Sequence, residues 1–275
     1  MTQNIYDDPT FFQGYSQMGR SLGGLDAAPE WPALQALLPT MNGLKVVDLG
    51  CGYGWFSRWA SEQGARQVLG LDVSQKMLAT ARASTSAPNI DYQRADLEHL
   101  SLPACSFDLA YSSLALHYIK DLRGLFTQVH AALVPGARLV FSIEHPIFMA
   151  PRNPGWIVDA QGQRSWPVDS YQMEGERITN WLAEGVIKQH RTIGTLLNLL
   201  IAAGLRAIPA ECLYAEMVRD MVHWRKENPD WEKTWALAPS PSCLRTAASV
   251  FACSPRPSLS ALVSRQWAGR PRARA

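Results

Sequence analysis

The sequence predicts an α/β protein built on a doubly wound, mostly parallel sheet, and three observations predict it. Apolar runs of strand length alternate with stretches of helical periodicity over residues 45–143. Glycines recur at the turns that follow the strands. One of those turns, in Lys45-Val46-Val47-Asp48-Leu49-Gly50-Cys51-Gly52-Tyr53-Gly54-Trp55-Phe56, runs from an apolar strand directly into a helix. A length of 275 residues with 47% hydrophobic content suits one domain with a sizeable core.

Taken in order, residues 29–38 read as an amphipathic lead helix, residues 45–48 as strand one and residues 55–63 as the first crossover helix. Gln67-Val68-Leu69-Gly70-Leu71-Asp72 is a second apolar strand, and Ser74 is an N-cap for a helix through Ala83. Short strands are expected at 90–93 and 107–112, then a helix over 121–133 stopped by Pro135-Gly136, then strand five at 138–143. From Glu144 to about Gln189 the rhythm breaks into Pro, Trp, Gly and Asp, which marks an insertion after strand five with β-like pieces at 155–166 and 185–190. Helical periodicity returns at 192–203 with Gly204 as C-cap, strand six is expected at 205–209, and a further helix at 216–226.

The glycine turn carries chemistry. Its spacing is D-x-G-x-G-x-G rather than the G-x-G-x-x-G that cradles a pyrophosphate, so a nicotinamide dehydrogenase is the least favoured class. Asp48 beside the glycines would repel a diphosphate and suits a cofactor with a cationic end. S-adenosylmethionine, with its ammonium and sulfonium, is such a cofactor. Gly50, Gly52 and Gly54 let the backbone pass close under the ligand, and Cys51 among them reads as a packing residue. Asp72 ends the second strand about twenty residues later, where an acid is placed to accept both ribose hydroxyls.

With these marks the chain resembles the class I S-adenosylmethionine-dependent methyltransferases, in particular the small-molecule branch related to ubiquinone and menaquinone biosynthesis. The likeness runs from about Phe11 to about Lys233. It also rests on Tyr92-Gln93-Arg94-Ala95-Asp96-Leu97, on Ser106-Phe107-Asp108-Leu109-Ala110-Tyr111-Ser112-Ser113, and on Leu133-Val134-Pro135-Gly136. Phe11-Phe12-Gln13-Gly14-Tyr15-Ser16 and Glu144-His145-Pro146-Ile147 point to one subgroup.

The resemblance implies a seven-stranded Rossmann-like sheet whose last strand is antiparallel, and residues 247–253 are the best local candidate for that strand. It implies that Asp96 binds the adenine amino group with Leu97 on the ring, that Val73 and Met77 pack on the adenine face, and that Ser112 and Ser113 floor the methyl group. Residues 11–20 would form a lid, with Tyr15 and Arg20 on the methionine carboxylate. Positioning and desolvation supply most of the rate of methyl transfer, and a histidine can add a base. His145 after strand five and His117 after strand four stand at the sheet's carboxyl edge, with structural roles as the competing readings. His190 and Arg191 are candidates to hold an acidic substrate, against a capping role. The insertion's Trp156, Trp166, Tyr171 and Trp181 read equally as a substrate roof or as the insertion's own small core.

Composition bounds the rest. The net charge is +2, but residues 236–275 carry six arginines and no acid, leaving a body of −4. A mildly acidic body is a poor nucleic-acid binder. The start shows no secretory pattern and no run is long enough to span a membrane, so a cytoplasmic protein is expected. Five cysteines in no C-x-x-C pair predict free thiols and no metal site. The expected organisation is a lid and lead helix over 1–40, a methyltransferase domain over 41–235 with its insertion at 145–190, and a disordered basic tail over 236–275. Transfer to a small-molecule acceptor is the leading reading. An RNA or protein methyltransferase and a catalytically silent S-adenosylmethionine-binding protein remain open, as do the acceptor atom and the oligomeric state.

Overall fold

A computed structural model describes residues 3–207 and the backbone of residues 246–253. The chain opens with a 3₁₀ turn at Ile5–Asp7 and three short helices, α1 (Pro9–Ser16), α2 (Gly19–Gly23) and α3 (Trp31–Leu37). Five strands and three crossover helices follow: β1 (Lys45–Leu49) and α4 (Trp55–Glu62), β2 (Gln67–Asp72) and α5 (Gln75–Ala83), β3 (Ile90–Arg94), β4 (Phe107–Ser113) and α6 (Leu122–Ala132), and β5 (Leu133–Glu144). These strands form a parallel sheet in the order β3-β2-β1-β4-β5. The chain reverses its direction of travel across the sheet between β1 and β4, and ligands of open α/β sheets bind at such a switch point.

Alternation along the strands builds both faces. Val46 and Val68 pack with Trp31, Phe56 and Tyr111 on one side. Val47 and Leu71 pack with Phe126, Leu125 and Leu200 on the other. Period-two burial on both faces is what a helix-covered parallel sheet requires. Each fully buried side chain of this size stabilises by about 1.5–3 kcal/mol relative to an exposed one. The helix starts are capped as the sequence indicates: Met77 N–H donates to Ser74 Oγ at 3.1 Å and Gly124 N–H to Asp121 Oδ1 at 2.9 Å.

Residues 145–190, expected as an insertion, contain α7 (Pro146–Met149), a small hairpin of β6 (Ile157–Val158) and β7 (Arg164–Ser165), and a longer hairpin of β8 (Gly175–Trp181) and β9 (Ala183–His190). Then come α8 (Ile193–Ala202), with Thr192 as N-cap, and β10 (Leu205–Ala207). The backbone of β11 (Thr246–Cys253) lies antiparallel between β5 and β10, although composition reads these residues as part of a disordered extension. Positions 208–209 of the expected sixth strand, the expected helix at 216–226, and positions 236–245 and 254–275 of the expected tail lie outside the described residues.

Two regions differ from the sequence reading. Residues 5–23 are helical in three pieces, where the sequence suggests only a lid segment. Asp8 caps α1, accepting from Phe11 N–H at 2.9 Å, and Pro9 holds its first position. β8 is also unforeseen, because Glu-Arg-Ile-Thr-Asn has one solvent-facing edge and Ile178 is exposed.

Candidate functional site

The parallel register aligns the carboxyl ends of β1, β2 and β4, so Asp48, Asp72 and Ser113 line one cavity. Gly50 and Gly52 bend the chain beneath it with φ of +78° and +54°. A Cβ on Gly52 would meet no protein atom, so its backbone is open to a ligand. Gly54 differs: a Cβ there would stand 2.1 Å from Tyr92 Oη. Gly54 turns the chain into α4 and packs on Tyr92, outside the cavity lining. Cys51 reaches the cavity edge while packing with Leu78, Ala81 and Tyr92, and burial pushes its thiol pKa up.

Asp72 accepts from Gly52 N–H on Oδ2 and from Ser74 N–H on Oδ1, both at 2.9 Å. Burial nevertheless pushes its pKa up to about 6. Asp48 is 2% exposed, accepts from Ser57 Oγ–H at 2.7 Å, and is pushed by burial to about 7. Among the described residues neither acid has an ion-pair partner. A cation bound between them would relieve both, and S-adenosylmethionine brings two cationic centres.

Val73, Met77, Asp96 and Leu97 line the same cavity. Asp96 caps the 3₁₀ turn at Leu97–His99, accepting from Glu98 N–H at 3.1 Å. Tyr15 and Arg20 close the opposite side, yet Arg20 is held by buried Glu30 in an ion pair. Although burial opposes it, Glu30 raises the guanidinium's pKa. Ser112 does not reach the floor. It is fully buried and donates to Leu49 O at 2.8 Å, while its neighbour Ser113 faces the cavity.

The histidines divide. His117 lines the cavity and its Nδ1 accepts from Glu144 N–H at 3.4 Å, which puts any ring proton on Nε2. Burial holds its pKa down at about 3, so at neutral pH it is an uncharged wall and a weak base. His145 is not brought to the cavity. It caps α7, with Nδ1 accepting from Ile147 N–H at 3.1 Å, and burial lowers its pKa. His190 is fully buried, with Nε2 2.8 Å from Tyr171 O. Arg191 donates to Ile119 O and Lys120 O, both at 2.7 Å, and Tyr171 Oη accepts from Ile193 N–H. Arg191 thus ties residues 190–192 to the segment after β4, while His190 and Tyr171 bond within residues 171–193, and none of the three lines the cavity. Of the substrate candidates, Trp181 alone reaches it.

Four contributors escape the sequence reading. Tyr6 and Tyr118 complete an aromatic roof with Tyr15, their hydroxyls 3.3 Å apart. Glu144 and Lys188 form a buried ion pair at 3.0 and 2.9 Å, with the ammonium 5.0 Å from the Trp181 ring centre. Both face the cavity. Glu144 ends its strand as Asp72 does, and Asp48 stands one residue short of the end of its own. Lys188 lies between Val186 and His190 at the inward positions of β9, where a buried lysine signals a partner.

A parallel sheet whose strand-end acids and glycine turn surround one cavity defines an enzyme of the nucleotide-cofactor class. A family profile described as "Methyltransferase domain" matches residues 47–141. An S-adenosylmethionine-dependent methyltransferase of known structure from Mesorhizobium loti is 50% identical, covers 83% of this chain and all of that one, and superimposes with a TM-score of 0.70. An uncharacterised Haemophilus influenzae protein is 33% identical over 82% of this chain and 91% of its own length. The malonyl-[acyl-carrier protein] O-methyltransferase of Erwinia billingiae is 40% identical over 63% of this chain and 67% of its own length, and the chain spans 43% of the Enterobacter lignolyticus enzyme of that name. The chain belongs to the S-adenosylmethionine-dependent methyltransferases, and its cofactor is S-adenosylmethionine.

Proposed function

We propose that this methyltransferase acts on a small-molecule acceptor, with its cofactor held over the carboxyl ends of β1 and β2. One observation carries the reading: two buried acids without cationic partners among the described residues, Asp48 and Asp72, face a cavity roofed by Tyr6, Tyr15 and Tyr118. S-adenosylmethionine, when bound, supplies a methyl group already activated on a sulfonium. Asp72 would accept from the ribose hydroxyls, its two backbone N–H donors fixing the carboxylate's orientation. Asp96 and Leu97 would address the adenine, with Val73 and Met77 on its face and Cys51 at the edge. Asp48 would hold the cationic end, and Arg20 and Tyr15 would meet the methionine carboxylate. His117 keeps a neutral, dry wall and helps exclude water. The seven-stranded sheet with its antiparallel last strand, and a cytoplasmic setting, belong to the same reading.

The malonyl-[acyl-carrier protein] relative lends the small-acceptor reading its support, and also favours a second one, an acyl acceptor presented on a carrier protein. Isothermal titration of the chain with S-adenosylmethionine, S-adenosylhomocysteine and, as control, NADH tests the site. Binding of the first two alone is expected, with Asp72→Ala weakening both by about ten-fold or more, the loss of a charge-assisted pair. Equal binding of NADH, or an Asp72→Ala variant with unchanged affinity, would remove the assignment.

A further inference from the structure

The cofactor cavity ends at a wall formed by Glu144, Trp181 and Lys188, and those three residues also line a second cavity of about 850 Å³. That volume is within the range of roughly 300–1,000 Å³ usual for small-molecule sites. The second cavity is built by α7 and the insertion. Its ring faces are organised: Trp166 stacks on Phe148 with centroids 4.3 Å apart, meets Trp156 edge-on at 5.3 Å, and is fixed by donating from Nε1 to Ile147 O at 3.2 Å.

Its charge is one-sided. Four cations line it, Arg152, Arg164, Arg177 and Lys188, against the single carboxylate of Glu144. Two of the cations are already committed. Arg177 is buried and donates to the carbonyls of Ala150, Ser170 and Met173, and Lys188 is paired with Glu144. Arg152 and Arg164 have no ion-pair partner among the described residues.

Resting on the reading that the first cavity holds the cofactor, we propose that the second is the acceptor site and that its acceptor is a flat, apolar molecule carrying an anionic group. Arg152 and Arg164 hold the anion, and Trp156 and Trp166 take the body. The reacting end reaches the cofactor past the Glu144–Lys188 wall. Aromatic faces bury area with few rotors, and a guanidinium fork recognises planar anions such as carboxylates even at a solvent-exposed rim, where Arg152 and Arg164 stand.

The test uses 2-naphthoate as probe and 2-naphthalenemethanol as its neutral counterpart, titrated against the full chain with and without S-adenosylhomocysteine. Naphthoate should bind about ten-fold tighter than the alcohol, and the double variant Arg152→Ala/Arg164→Ala should lose that difference while retaining S-adenosylhomocysteine affinity. Trp166→Phe, which keeps a ring face, should retain the preference for the anion. No naphthoate binding, equal binding of the two probes, or an unchanged preference in the double variant would overturn the proposal. Loss of S-adenosylhomocysteine binding alone, with the naphthoate preference intact, would overturn the cofactor reading and leave the anion site standing.

Discussion

Asp48 and Asp72 respond to pH against the usual direction for surface carboxylates, because burial raises their pKa values to about 7 and about 6, well above the ordinary aspartate range. The folded chain therefore holds more protons than the unfolded chain between about pH 4 and 7, and stability from these acids falls as pH rises through that window. The cationic end at Asp48, and ribose donors at Asp72, favour the ionised forms, so cofactor binding should release protons and tighten as pH rises. We expect S-adenosylmethionine affinity to increase by about ten-fold from pH 5.5 to 8 and to flatten in Asp48→Asn. Titrations in buffers of different ionisation enthalpy would read the protons directly, and a pH-independent affinity would rule the linkage out. Two glycines separate structure from binding just as sharply. Gly54→Ala should destabilise by about 1–3 kcal/mol in urea unfolding, combining a left-handed backbone with a clash on Tyr92. Gly52→Ala carries the left-handed strain as well but meets no neighbour, so it should destabilise less than Gly54→Ala and weaken S-adenosylhomocysteine binding more. The reverse ranking would show that Gly54 carries the ligand.

At the scale of elements, the 3₁₀ turn at Ile5–Asp7 is pinned to the start of α5. Asp7 accepts from Ser74 Oγ–H at 2.6 Å and from the N–H groups of Gln75 and Lys76 at 3.3 and 3.1 Å. Burial works against it, but these donors hold its pKa below the usual carboxylate range, as expected for an acid at a helix N-terminus. Asp7→Ala should free the roof over the cavity, raise the rate of protease cleavage before residue 25 and weaken S-adenosylhomocysteine binding by about ten-fold, while the midpoint of global unfolding changes by about 1 kcal/mol or less. Unchanged cleavage would mean that the clamp is not what holds the roof. The elements over 45–144 were legible in the sequence because β1, β2 and β4 carry their own apolar runs and α5 its own cap at Ser74. The first 23 residues were not, because pieces of three to eight residues leave too little periodicity to see. Asp8-Pro9, an N-cap followed by an N1 proline, was the available signal.

For the molecule as a whole, the acids were readable because sheet topology sends strand ends to the site whatever the distant contacts are. The wall was not, since Lys188 meets Glu144 across 44 residues and only the folded hairpin brings them together. His145 and His190 mislead for a related reason. Side chains that look chemically able in sequence are occupied by backbone groups in the fold, Ile147 N–H for one and Tyr171 O for the other. Lys188→Met alone should cost about 3–5 kcal/mol, because it removes the ammonium that faces the buried Glu144 carboxylate. The double replacement Glu144→Leu/Lys188→Met should recover most of that loss in thermal unfolding and show a coupling well above the usual additivity error. Additive losses would mean that the two side chains stabilise the fold independently.

That coupling has a consequence for how this protein diverges. If neither position can change alone without a stability loss comparable to the whole margin of an ordinary domain, then 144 and 188 are inherited as one character. Lineages descending from this chain should carry acid with base or apolar with apolar at these two sites. The mixed pairings form a valley that drift in single steps rarely crosses, and the wall between the two cavities thereby records which side of it a sequence came from.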